Sequence, residues 1–245
     1  MQKWFAKIKK PIIGLSPMHQ VTDSAFRLKC RKAGADVVYS EMIASEAIIR
    51  DVPQAKEMAS FVEDERPVVI QIFGSDPKVM AQAAKKLEDE LSPDGIDINF
   101  GCPVQKAAKQ GFGACQLFEP KKAAEIVKAV KKSLKKTPLS AKLRLATKDV
   151  NDTIKFIRAI KKAGVDLISI HARTATQKYR GEADWKKLYE IKEKFPDLYI
   201  LGNGDIKFPE DIKSKIGNLD GVLIGRAAKL NPIVFKDLIK IKFDR

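Results

Sequence analysis

The feature that most constrains this chain is a recurrence: eight short runs rich in Ile, Val and Leu, separated by stretches of helical period. They are "PIIGLSPM" from Pro11, "VVYSEM" from Val37, "VVIQIF" from Val68, "GIDINF" from Gly95, "LSAKLR" from Leu139, "LISIHA" from Leu167, "YILGN" from Tyr199 and "GVLIGR" from Gly221. Seven of them are continuous rather than alternating, as parallel strands buried on both faces should be. Between them, Ala123, Ile126, Val127, Val130 and Leu134 make a helical stripe, with Pro120 placed to start it and Pro138 beyond its end. Asp76 and Pro77 read as an N-cap and first helical residue, and Gly164 as a helix stop. Evenly spaced strand-then-helix units in 245 residues predict an α/β chain folded as a single (β/α)8 TIM barrel over 1–245, with no second domain. The competing architecture, an open doubly wound sheet, does not need eight such runs. "NPIVFKDLIKIKF" is expected to supply one closing helix.

No apolar run reaches the roughly 18 residues of a membrane span, and "MQKWFAKIKK" lacks the core of a signal peptide, so a cytoplasmic location away from membranes is expected. Three cysteines, Cys30, Cys102 and Cys115, with no CxxC pair or histidine cluster, argue against a disulfide framework and a structural metal. Lys plus Arg outnumber Asp plus Glu by 46 to 31, a formal charge of +15, which attracts polyanions and makes nucleic acid the natural partner class. Lysines that merely solvate helix faces, or a heat-adapted composition, give the same count.

In a barrel of this kind chemistry belongs at the C-terminal ends of the strands. Those ends are Ser16, Pro17 and Met18; Glu41; Gln71; Asn99 with Cys102 just beyond; Lys142 and Arg144; His171 and Arg173; Asn203 and Gly204; and Gly225 and Arg226. Burying Gln71, Asn99, Lys142 and Arg144 without partners costs several kcal/mol, so a ligand is expected to satisfy them. Lys142 with Arg144, and His171 with Arg173, are two residues apart and share a face of their strands. "GNGDI" and "GRAAK" place glycines and a cation where such barrels usually bind phosphate. For Cys102 three readings remain open on these grounds: a small buried hydrophobe, a metal ligand or a proton donor. Cys30 and Cys115 read as small apolar residues.

Taken together and in order, "SPMHQVTDSAFR", "DINFGCPVQKAAKQGFGACQL", "AKLRLA", "HARTATQKYRGEADW", "NGDI" and "GRAAKLNPIVF" resemble the tRNA-dihydrouridine synthases, from about Pro11 to Phe235. The resemblance implies an FMN-bearing barrel that reduces uridine in tRNA, with NADPH or NADH as external reductant. It implies that Pro17 and Met18 lie against the isoalloxazine and that Gln71, Asn99 and Lys142 bond its polar edge. His171 contacts the cofactor, and Asn203, Gly204, Gly225 and Arg226 hold its phosphate. Cys102 is then the general acid, giving its proton to C5 of a uracil that takes hydride at C6. Arg144 and Arg173 are expected beside the substrate, and Lys106, Lys109, Lys178 and Arg180 at RNA phosphates. Thiols as a class keep their proton at neutral pH, whereas carboxylic acids have lost it, so the residue type suits the role. Gly111 and Gly113 are expected as hinges of a mobile loop carrying the cysteine. Family members commonly add a helical tRNA-gripping domain, which this chain does not show after "NPIVF". The rival readings are an FMN reductase of a free pyrimidine, an idle RNA-binding barrel and a flavin-free phosphosugar barrel. Oligomeric state is not legible in the chain.

Overall fold

A computed structural model of the chain describes residues 3–242. Eight parallel strands, β1 (Ile12–Leu15), β2 (Val38–Ala44), β3 (Val68–Phe73), β4 (Gly95–Phe100), β5 (Leu139–Leu145), β6 (Leu167–Thr174), β7 (Tyr199–Asn203) and β8 (Gly221–Ile224), pair in chain order. β8 closes on β1 through the register Ile12 to Gly221, Ile13 to Val222 and Gly14 to Leu223. The expected (β/α)8 barrel is therefore the fold. No described helix is long and apolar enough to cross a membrane.

The strands read as continuous because both faces are covered. Ile13, Leu15, Ile70, Ile72, Ile96, Ile98, Leu143, Ile168 and Ile170 point outward into one large core shared with the helices. Ile12, Tyr39, Val69, Leu167, Leu201 and Leu223 fill the lumen with Trp4 and Phe5, the latter pair on the 3-10 turn Trp4–Ala6. Each such aliphatic side chain contributes about 1.5–3 kcal/mol on burial, so the lower lumen is a packed plug rather than a pore. Further along the same inward rows the residues turn polar: Gln71, Asp97, Asn99, Ser140, Lys142, Ser169 and His171. Composition therefore changes along the barrel axis, from plug to site.

Local signals act as expected. The Asp76 side chain accepts from the amides of Lys78 and Val79 to open the helix Pro77–Leu91. Gly164 closes the helix Val150–Ala163 at φ 111°, which favours glycine. The helix Pro120–Ser133 buries Ala123, Ile126, Val127 and Val130. The expected closing helix "NPIVFKDLIKIKF" is instead, over its described residues, three short pieces, Pro232–Val234, Phe235–Leu238 and Ile239–Lys242, while Phe243 lies outside the described residues. Asn231, before Pro232, stands outside the helical region at φ −149° and caps Ile233 with its side chain, which separates these pieces from the helix Arg226–Leu230.

The N-terminal end of the barrel carries a fourfold device. Asp36, Asp94, Asp166 and Asp220 stand just before β2, β4, β6 and β8. Their carboxylates accept from the backbone N–H of Ile13, Val68, Leu139 and Ile200, at or near the start of the preceding odd strand, at 2.6, 2.8, 2.8 and 2.8 Å. Each also meets a cation: Lys242 for Asp36, Arg66 for Asp94, Lys3 and Lys131 for Asp166, and Lys10 and Lys192 for Asp220. Amides that no neighbouring strand would satisfy are thereby paired, and each carboxylate has a cation beside it. Nearby, Glu88 accepts from the amides of Lys135, Lys136 and Thr137, which lead into β5.

Candidate active site

At the opposite end the polar side chains converge. On neighbouring strands Asn99 pairs in register with Lys142, Arg144 with His171, and His171 with Asn203. Lys142 Nζ lies 3.3 Å from Asn203 Oδ1, and Asn203 Nδ2 donates to Leu223 O at 2.7 Å. Gln71 Nε2 donates to Asp97 at 2.7 Å and Asn99 Nδ2 to Gln71 Oε1 at 2.8 Å. Gln71 is buried, while Asn99, His171 and Asn203 are each 8–9% exposed, at the boundary between lumen and solvent.

Burial dominates the electrostatics here. It lowers Lys142 to about 8, helped by repulsion from Arg144 and opposed by the Asp97 carboxylate. It raises Asp97 to about 6, against the hydrogen bonds of Ser140 and Gln71 and the charge of Lys142. His171 falls to about 2 through burial and the surrounding Lys142, Arg144, Arg173 and Arg226, so its imidazole is neutral and serves as a hydrogen-bonding group. Groups pushed by burial toward their neutral forms and gathered at the mouth of the barrel are candidates for chemistry.

Cys102 sits half-buried just past β4, gripped by both backbone groups. Its N–H donates to Asn99 Oδ1 at 2.9 Å, alongside the N–H of Gly101 at 2.9 Å. Its carbonyl accepts from Ala114 N at 3.0 Å. Gly113, at φ +76°, lies so close that a Cβ there would stand 2.8 Å from Cys102 O, so it is a close-contact glycine beneath the cysteine as well as a candidate hinge. Gly111 also has a positive φ, 73°. Cys30 is fully buried, its thiol pushed up to about 12 by burial alone, and Cys115 is half-buried.

The arginines correct one expectation. Arg144 and three of its neighbours were expected to need a ligand for partners, yet Arg144 donates to Gly101 O, Thr174 O and Lys178 O at 3.0, 3.3 and 2.8 Å. It ties the cysteine loop to the loop after β6. Gln71 and Asn99 likewise have protein partners. Arg173 donates to Arg180 O, Gly181 O and Asp205, and Asp205 also holds Arg226 at 2.8 Å and the amide of Ala183 at 2.9 Å. Tyr179, 61% exposed, lies against both Arg144 and Arg226, at 5.5 and 5.8 Å.

The remaining residues fall as follows. Pro17 and Met18 are half-buried beyond β1, and a Cβ at Gly225 would make ordinary van der Waals contact with Met18 Sδ and Ser16, each at 3.8 Å. Gly204, at φ +126°, is pressed against the His171 ring and Ala183, which accounts for glycine at that position without a ligand. Lys109, Lys178 and Arg180 are exposed on the loops after β4 and β6. Lys106 belongs to the helix Gln105–Lys109, and its side chain lies outside the described residues. No cluster of His, Cys, Asp and Glu among the described residues could hold a metal ion. Sequence reasoning passed over Asp97, Asp205 and Tyr179. Asp97 alone carried a signal, a carboxylate two residues before Asn99 inside an apolar strand.

A closed parallel barrel with displaced titratable groups and a backbone-clamped cysteine at its C-terminal mouth defines an α/β-barrel enzyme. The sequence profile of the family described as Dihydrouridine synthase (Dus) matches residues 14–245, and the chain belongs to that family. It is 42% identical to a probable tRNA-dihydrouridine synthase of Aquifex aeolicus over 94% of this chain and 73% of that protein. It is 36% identical to one from Treponema pallidum, over 90% of this chain and 68% of the relative. It is 33% identical to tRNA-dihydrouridine synthase B of Pseudomonas aeruginosa, over 91% and 68%. Among solved structures, a 2-naphthoyl-CoA reductase complex superimposes with TM-score 0.76 at 12% identity, covering all of this chain and 52% of that one. The structure titled TcOYE with pHBA gives 0.71 at 10% identity, over 95% and 88%. Those two share the fold.

Proposed function

We propose that this enzyme uses FMN to saturate the C5–C6 double bond of uridine in tRNA, with NADPH or NADH as the source of electrons. The observation that carries the reading is the juxtaposition of Cys102, held by Asn99 and Ala114, with the inward row Gln71, Asn99 and Lys142 on adjacent strands.

The donor set suits a flavin. Gln71, Asn99 and Lys142 form a line of N–H groups at the top of the lumen; Gln71 has a second N–H beyond its bond to Asp97, and the second N–H of Asn99 meets only the weak acceptor Met42 Sδ at 3.6 Å. Pro17 and Met18, the latter beside Gly225, offer an apolar wall for a ring system. Asn203, Gly204, Gly225 and Arg226 stand at the phosphate end. A reduced FMN held there would supply the hydride for C6 of the uracil. Cys102 delivers the proton to C5 from the other face, and its thiolate is reprotonated from solvent before the next turnover. Lys142 keeps a positive charge at the polar edge, and neutral His171 donates or accepts a hydrogen bond without adding charge. Arg144 and Arg173 bound the substrate side by fixing the loops after β4 and β6. Lys109, Lys178 and Arg180 offer rim cations to RNA phosphates, in keeping with the +15 charge and a cytoplasmic tRNA-modifying role. Extracting a uridine from folded RNA costs a few kcal/mol, which such contacts offset.

The test is the purified protein itself. It should be yellow, release FMN on heating, and reduce uridine in tRNA faster than free uridine. Colourless protein that FMN does not reconstitute would sink the flavin reading. Preference for free uridine would replace tRNA by a small pyrimidine.

A further inference from the structure

We propose that Asp97 is a positioning residue whose buried carboxylate fixes, through Gln71 and Asn99, the backbone at Cys102. The inference rests on the reading of Cys102 as proton donor only for its functional meaning; the geometry stands without it.

A single bonded path runs from the barrel centre to the cysteine loop. Ser140 Oγ donates to Asp97 Oδ1 at 2.6 Å, and Gln71 Nε2 to Asp97 Oδ2 at 2.7 Å. Asn99 Nδ2 donates to Gln71 Oε1 at 2.8 Å, and Asn99 Oδ1 accepts from the N–H of Gly101 and Cys102, each at 2.9 Å. Asp97 is 0% exposed. An ion at that depth is costly, and lumen neighbours such as Val69 and Leu167 show that an apolar side chain packs there.

What the carboxylate adds is polarity. Backbone N–H groups only donate, so Asn99 must turn its oxygen to them and its NH2 to Gln71. Gln71 must then offer its oxygen to Asn99 and its NH2 downward. An ionised carboxylate accepts from Gln71 and from Ser140 at once, whereas an amide has one accepting oxygen and can keep only one of those two bonds as they stand. With Asn at position 97, an amide that keeps its oxygen on Ser140 Oγ would offer its NH2 to Gln71. Gln71 and then Asn99 would turn over, and an NH2 would face the N–H of Cys102, two donors in opposition. Asn99 Nδ2 also lies 3.6 Å from Met42 Sδ, so the carboxylate acts together with that acceptor and with the backbone N–H groups in holding one direction along the path.

The experiment is the alkylation rate of Cys102 by iodoacetamide in holoenzyme, followed by mass spectrometry of its peptide, with half-buried Cys115 as internal reference. In Asp97→Asn the rate at Cys102 should rise about tenfold, the size expected when two backbone hydrogen bonds are lost, with Cys115 unchanged. In the double variant Asp97→Asn, Gln71→Glu the carboxylate is moved one place along the path and polarity is restored, so the rate should return to within about twofold of wild type. An unchanged rate in the single variant, or no recovery in the double, would overturn the proposal. If Asp97→Asn does not fold, the double variant decides alone: folded protein with a wild-type rate supports it, and unfolded protein or a raised rate contradicts it. Alkylation reports where Cys102 sits and not what it does, so failure here and failure of the proton-donor role are separately visible.

Discussion

The two ends of the barrel use the same residue types to opposite effect. At the N-terminal end each aspartate before an even strand meets a backbone amide and a cation. Burial works to raise Asp166 and Asp220, but their lysines and the amides of Leu139 and Ile200 outweigh it and hold both below the usual carboxylate range. At the C-terminal end burial wins: Asp97 rises, while Lys142 and His171 fall. Charges that are fully paired stabilise, and charges left short of pairing are available to a ligand. The difference teaches that this barrel separates its stability from its chemistry along one axis.

That separation can be broken in order of size. Cys102→Ala should slow reduction of tRNA uridine by about 10² to 10⁴, the usual range for loss of a general acid, and leave melting temperature and reduction of the bound flavin by NADPH nearly unchanged. Single-turnover kinetics check it, and wild-type rates would remove Cys102 from the chemistry.

Asp166→Ala, at the other end, should do the reverse. It abandons the Leu139 amide and two lysines and should cost about 2–4 kcal/mol in denaturant unfolding, with kcat per folded molecule preserved. Glu88 extends this to pH. Burial alone would raise it, but the amides of Lys135 to Thr137 bring it to about 2. A depressed carboxylate stabilises fully above its ordinary range and ceases to do so as pH falls through the folded value, so Glu88→Gln should flatten the acid unfolding curve between about pH 4 and 2. An unaltered curve would detach Glu88 from acid stability.

Lys142 sharpens the opposite end. Its charge is present below about 8 and lost as pH rises through that value. FMN affinity, a readout that does not use the Cys102 proton, should therefore decline on the alkaline side with a midpoint near 8, and that limb should vanish in Lys142→Met. A flat profile to pH 9.5 would show that the charge is not used.

The smallest effects belong to the rim. Changing Lys109, Lys178 or Arg180 to Ala should lower the slope of log K for tRNA against log salt by about one unit each, for all tRNAs alike. Salt-independent binding would argue against phosphate contacts.

The fold was legible because its signals are local. Asp76, Pro77, Pro120 and Gly164 each act within a turn of themselves, and burial on both faces writes itself as unbroken apolar runs. Cys102, Gln71, Asn99 and Lys142 stood out as polar residues at strand ends. What stayed hidden depends on partners distant in sequence. Arg144 looked like an unpaired cation because its partners are carbonyls of loops, which no residue type advertises, and Arg173 read as a substrate contact because Asp205 and the carbonyls that hold it lie on other loops. The aspartates of "GADVV", "PDGIDI", "GVDLIS" and "LDGVLI" each pass for turn residues until the odd strands are placed beside them. Asn231 shows a local signal that was overlooked, a residue before proline inside an apparent helix.

The central claim, that the polar mouth runs hydride chemistry on tRNA uridine while the opposite rim only holds the barrel together, is tested most directly by one anaerobic single turnover. Enzyme with its flavin reduced is mixed with unmodified tRNA, and flavin absorbance and dihydrouridine are followed together. The predicted result is flavin reoxidation matched one for one by dihydrouridine in the wild type and in folded Asp166→Ala, and strongly slowed in Cys102→Ala. Reduced flavin that stays reduced in the presence of tRNA, or equal slowing in both variants, would contradict it.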